Sequence, residues 1–213
     1  MPTDLGIAEK VSDAREISER LDVEIRHSIA LNALHLRGAF QSDVPDVFDD
    51  SLEAWGYNLV VFALHAELIM ALTRIFDVME NTASLPMLME ILRDTQVVEA
   101  LCADARNNVP GDAIRQIIKE AHEDLARLRN SHQLARVKTI RNKMLAHLAR
   151  DWEKSQRAQN RHTIELVEMT FPTIEKLNLA LRGENLSYRE TASNEEVYAD
   201  NFWRRAAGLQ GKP

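Results

Sequence analysis

Between Arg136 and Arg150 the chain gathers side chains able to hold an anion and move a proton: Arg136, Lys138, Arg141, Asn142, Lys143, His147 and Arg150. A guanidinium grips two oxygens of an anion at once and keeps its charge at physiological pH. An imidazole gives or takes a proton near neutrality. From Arg127 to Arg150 there are seven basic residues and no Asp or Glu, within a chain of 26 basic and 33 acidic residues and net charge −7. A basic segment in an acidic chain points to an anionic ligand, most simply a phosphate backbone.

The element that must position these groups is a helix. Wound at about 100° per residue, Leu134, Val137, Ile140, Met144, Leu145 and Leu148 gather into one apolar stripe that should face a core. Arg141 falls inside the stripe and His147 on its edge beside Ile140, with Lys138 and Asn142 on the opposite edge. A buried, unpaired guanidinium costs several kcal/mol, roughly. Two accounts of Arg141 therefore stand: an acid on another helix, Glu67 or Asp77, neutralises it, or the stripe lines a cleft that a ligand enters. The surrounding positive charge favours the cleft.

Arg141-Asn142-Lys143-Met144-Leu145-Ala146-His147 resembles the signature of the HEPN superfamily, an Arg followed after four to six residues by His, often with a polar residue straight after the Arg. With Ile140 in front it is similar to the AbiU-type abortive-infection branch. Leu72-Thr73-Arg74-Ile75-Phe76-Asp77, followed by Ser84-Leu85-Pro86-Met87-Leu88, supports that branch. The resemblance covers about residues 50 to 180. It implies an all-α, HEPN-like helical bundle and a metal-independent endoribonuclease acting as a homodimer, with an antitoxin or other defence-system protein as a further partner. Some HEPN toxins carry Tyr two residues after the His, where a nucleotidyltransferase modifies them. Here Ala149 stands at that position, so such control is not expected at this site.

The chemistry is consistent with the residues. Cleavage next to a 2′-OH needs a base, an acid for the leaving oxygen and a cation on the phosphate. His147 can serve as base or acid, Arg141 as the phosphate clamp, and Asn142 as a hydrogen bonder that holds the phosphate or orients the His. Arg136, Lys138, Lys143 and Arg150 would attract RNA without reading its sequence. On a helix Arg141 and His147 stand about 120° apart and about 9 Å along the axis. One such pair is thin for all three roles, whereas a two-fold dimer brings two of each into one cleft.

Around that helix the periodicity predicts others. One runs over 4–37, with Gly38 as its stop. A second begins at Asp46 or Ser51 and reaches Met79; apolar nearly all round from Leu59 to Phe76, it is expected at the centre, with His65, Glu67, Arg74 and Asp77 needing partners there. Ser84 caps a short helix with Pro86 in its first turn, and Thr95 caps another. Asn107 to Asp112 reads as a turn before a further helix, which Asn130 to His132 breaks. Asp151 to Asn160 reads as a polar linker, followed by a helix that Pro172 bends and Gly183 ends. Ser193 to Glu196 reads as a capping box opening a last short helix, Glu195 to Ala207, with Trp203 docked on its own domain or a partner. The organisation expected is one helical domain over 1–183 and a tail over 184–213.

The remaining signals exclude more than they add. Of the 213 residues 45% are hydrophobic, enough for a core, and the single cysteine, Cys102, excludes an internal disulfide and reads as a small buried helix residue. No continuous apolar run reaches the 17 to 20 residues or so that span a bilayer, and acids near the N-terminus argue against a signal peptide, so a cytoplasmic protein with no membrane contact is expected. Asp43, Asp46, Asp49 and Asp50 read as acids offsetting a helix dipole, not as a metal site. Glu24-Ile25-Arg26-His27 lacks the second Glu-x-x-His of a di-metal bundle, and no Gly-rich phosphate loop is present. No metal and no cofactor are expected. Two other readings stay open: a catalytically silent HEPN-like module that binds RNA or a partner, and a plain helical dimerisation protein.

Overall fold

A computed structural model of the chain describes residues 6–41, 43–49, 51–79, 82–104, 108–146 and 152–209, the side chains of 144–146 and 152–160 excepted. Among the described residues there are nine helices and no strand: α1 (Ile7–Phe40), α2 (Pro45–Phe48), α3 (Ala54–Ile75), α4 (Leu85–Ile91), α5 (Thr95–Ala103), α6 (Gly111–Arg129), α7 (His132–Ala146), α8 (Trp152–Arg182) and α9 (Tyr188–Ala206). The expected all-α class holds.

α1 is the axis of the bundle, packing on α3, α9, α8 and α5. Its periodic face sets Leu21, Ile25 and Ile29 in the core, against Leu68, Ile69, Leu72 and Ile75 of α3 and Val167, Ile174 and Leu177 of α8. Each such side chain contributes roughly 1.5–3 kcal/mol of burial. A polar seam crosses this core: Ser18 Oγ donates to Asn178 Oδ1 at 2.7 Å, Asn178 Nδ2 to Tyr188 Oη at 2.8 Å, and Tyr188 Oη to Asp22 at 2.6 Å. All four polar groups are thereby partnered, which ties α1, α8 and α9 into one register. Burial, and then the Asp22 carboxylate, hold the Tyr188 phenol far above its ordinary pKa.

Several boundaries differ from the periodicity reading for identifiable reasons. Gly38 does not end α1; a Cβ there would lie 2.7 Å from the Trp203 ring, so the glycine is the seat of that indole, whose Nε1 donates to Leu34 O at 2.8 Å. Asp94, not Thr95, caps α5, through Gln96 N. Residues 152–160 form the first turns of α8 rather than a linker; Glu, Lys, Gln, Arg and Ala there are good helix formers, so polarity alone did not signal a break. The capping box is displaced too. Ser187 caps α9, and Ser193 lies inside it with Oγ donating to Arg189 O. Ser84 does cap α4, and Gly183, at φ 71°, does close α8.

α3 departs most from expectation. Its second half is the buried centre, but its first half turns an apolar face outward: Trp55 is 77% exposed and Leu59 50%, with Val60 and Phe62 beside them. By length and composition α3 could also cross a membrane; what the bundle shows is its second half packed among other helices.

Candidate functional site

α7 starts where α6 cannot continue. Ser131 Oγ accepts from Leu134 N at 3.2 Å and donates to Leu128 O at 2.7 Å, so one hydroxyl closes α6 and opens α7. Leu134, Val137 and Ile140 are buried, as the stripe predicts, and α7 packs on α8 and α3. Arg136, Lys138, Asn142 and Lys143 are exposed on its outer side. His147 and Arg150 lie outside the described residues, as do the side chains of Met144, Leu145 and Leu148. The structure therefore brings together Arg141, Asn142, Lys138, Lys143 and Arg136 on one helix.

Arg141 is half-buried, and its Nε is buried without a hydrogen-bond partner among the described residues. Among the described residues neither Glu67 nor Asp77 pairs with it. Glu67 accepts from Arg74 at 2.7 Å and approaches His27 at 3.8 Å; Arg74 also bonds Glu24 at 2.8 Å. Asp77 Oδ1 accepts from Met79 N at 3.1 Å, and its carbonyl accepts from the Ser84 hydroxyl at 2.7 Å. The Leu72–Asp77 and Ser84–Leu88 stretches thus build the corner between α3 and α4, with Ser84 Oγ then receiving Met87 N. Their chemistry is architectural, and Glu67 and Asp77 stand apart from Arg141.

Among the described residues no acid pairs with Lys138, Arg141 or Lys143. Elsewhere several arginines are claimed: Arg115 by Glu99 and Asp112, Arg127 by Asp124, Arg37 by Asp43 and Asp200. The α7 face is left with positive charge that no acid among the described residues neutralises.

At the other end of α7 the structure assembles a group that sequence reading passed over. The His132 and His162 rings meet edge-on, centroids 4.9 Å apart. Arg136 Nε donates to His132 Nε2 at 3.0 Å. Glu165 accepts from Gln133 at 2.9 Å and from Arg161 at 2.6 Å, contacts that hold its carboxyl below the usual range. The i, i+4 spacing of His132 and Arg136 was a visible signal; their meeting with His162, thirty residues on, was not. Nine residues of helix set His132 about 13 Å from Arg141 along α7, so one helix carries an imidazole at one end and, at the other, a guanidinium with no acid partner among the described residues.

A family model, HEPN AbiU2, matches residues 13–202, which takes in most of α1, most of α9 and every helix between them. No curated protein and no solved structure matches the chain.

Proposed function

The chain belongs to the AbiU2 family of HEPN domains, and from that membership we propose that it is a metal-independent endoribonuclease of the abortive-infection type, cleaving RNA in a composite site shared by two copies. The observation that carries this reading is Arg141: a guanidinium on the inner edge of α7, its Nε buried and without a partner among the described residues. A buried donor left unsatisfied costs about 1–3 kcal/mol. A phosphate oxygen would satisfy it, and the exposed Lys138, Lys143 and Arg136 would draw the strand in. In this mechanism Arg141 holds the scissile phosphate and steadies charge on its oxygens. Asn142 bonds the phosphate or the imidazole. His147 takes the 2′-OH proton, and the His147 of a second copy protonates the leaving 5′-oxygen, giving a 2′,3′-cyclic phosphate and a 5′-hydroxyl.

The outward face of α3 supports the second copy. Trp55, Leu59, Val60 and Phe62 form an apolar surface on a helix that packs against α7, and exposed contiguous patches of this kind mark association sites. RNA as substrate, a homodimer, a cytoplasmic setting and control by an antitoxin or other defence protein are parts of this one reading.

The test is incubation of purified protein with total RNA in chelator. Cleavage is expected to persist, to stop in His147→Ala and Arg141→Ala, and to fail on a substrate with 2′-deoxyribose at the cut. Cleavage of the deoxy substrate, or full activity in His147→Ala, overturns the mechanism. Trp55→Glu with Leu59→Glu should convert the dimer to a monomer in light scattering and remove cleavage; a fully active monomer overturns the composite site.

A further inference from the structure

Away from the α7 face, α1, α8 and α9 enclose a cleft of ≈ 770 Å³, within the range that takes small ligands. It exists because α9 packs closely along α1 but only lightly on α8. Ile29, Val167 and Phe171 are buried at its apolar floor.

Several of its polar groups are acceptors without a donor among the described residues. Asn32 Oδ1 is buried and has no hydrogen-bond partner among the described residues. Pro172 lines the cleft from inside α8; lacking an N–H, it cannot return the bond that the Glu168 carbonyl would receive in an unbroken helix. Glu168 lines the same wall, and its carboxylate and that of Glu196 opposite are exposed and carry no ion pair among the described residues. Glu175 gives one oxygen to Tyr188 N at 2.7 Å and keeps the other. On the donor side Arg37 is taken up by Asp43 and Asp200, and Arg189 stands exposed at the rim.

We infer that this cleft binds an alkyl-ammonium or alkyl-guanidinium group: a cationic donor that satisfies Asn32, the Glu168 carbonyl and the Glu168 and Glu196 carboxylates while its aliphatic stem lies on the Val167–Phe171 floor. A free polyamine and a Lys or Arg side chain presented by a partner peptide share that chemistry. The site does not depend on the ribonuclease reading, since neither α7 nor its cations contribute to it.

Calorimetric titration of the full chain at physiological salt tests it, with spermidine and a capped Lys-Leu-Arg peptide as probes and 1,6-hexanediol as the neutral control. Submillimolar binding of either cation is expected, spermidine identifying a small polyamine and tighter peptide binding identifying a partner's side chain. Glu168→Gln with Glu196→Gln should weaken it at least tenfold (~10×, about one charge-assisted contact each). Pro172→Ala should weaken it several-fold, by returning an N–H to the Glu168 carbonyl, without lowering the melting temperature. Glu16→Gln with Glu19→Gln, on another face of α1, should leave binding unchanged. Equal weakening by that control pair, equal binding of hexanediol, or no binding of either cation overturns the inference.

Discussion

Two arginines on core-facing sides of helices end in opposite conditions. Arg37 of α1 is 4% exposed, and its guanidinium is full: Nη1 and Nη2 donate to the two Asp43 oxygens at 2.7 and 2.9 Å, and Nε donates to Asp200 at 2.6 Å. Those contacts raise the Arg37 pKa, the Asp43 hydrogen bond foremost, and the same bond holds the Asp43 carboxyl below its usual value. Arg141 of α7 is more open to solvent yet less satisfied, with a buried Nε and no acid beside it among the described residues. An arginine whose fork is filled by its own chain joins helices. One whose fork is left open holds interaction free energy for something that arrives from outside.

That contrast breaks or sharpens under substitution, and the largest effect should come at Arg141. Arg141→Ala is expected to cut the RNA-cleavage rate by at least ~10²-fold while leaving the melting temperature near wild type. A large loss of stability instead would mean that a hidden acid had been stranded. Arg37→Met should do the reverse: melting falls by several degrees as α9 loses its tie through Asp200, and cleavage per folded molecule is unchanged.

A third measurement uses protons. His65 of α3 is 1% exposed and stacks on His35 of α1, centroids 4.6 Å apart. Burial, and next the neighbouring His35, lower its pKa from 6.5 to about 3. Below pH 6.5 the unfolded chain therefore takes up a proton that the fold refuses, and its stability should fall by about 1.4 kcal/mol per pH unit from this group until the folded pKa is reached. The contribution is complete above pH 6.5 and is lost on acidification. Melting followed from pH 7 to 4 should show this slope, and His65→Phe should flatten it; an unchanged slope would remove His65 as its source. The smallest effect belongs to the exposed lysines. Lys138→Gln or Lys143→Gln should lower the salt dependence of RNA binding by about 0.7 in the log–log slope, with little change in melting; an unchanged slope would take that lysine off the strand.

The buried half of α7 was legible because Leu134, Val137 and Ile140 repeat at helical spacing, and residue type alone marked Arg141 as anomalous among them. What stayed hidden depended on contacts between segments far apart in sequence. Nothing local to Gly38 says that an indole 165 residues later will occupy the space of its missing Cβ; local grammar read it as a stop. Nor does hydrophobicity distinguish the two halves of α3, since burial there is decided by which neighbours arrive. Glu67 and Asp77 were drawn toward Arg141 by charge complementarity, but Arg74 and the α3–α4 corner are nearer claimants. The start of α9 was misplaced because Ser193 and Glu196 match a capping pattern that Ser187 and Glu190 had already satisfied.

The Trp203 indole on Gly38 also has a consequence in time. α1 is made well before α9, yet α9 supplies part of its cover, through Trp203, Asp200 and Tyr188, contacts that span 163 to 169 residues. At 5–20 residues per second a ribosome needs on the order of ten to thirty seconds to cover that stretch. During this interval the Leu34 carbonyl and the open face of Gly38 lack the Trp203 indole, so the nascent chain carries a partly unsealed surface on α1 until α9 has left the exit tunnel. High contact order of this kind slows folding, and here it makes α9 the step that completes the cover of α1.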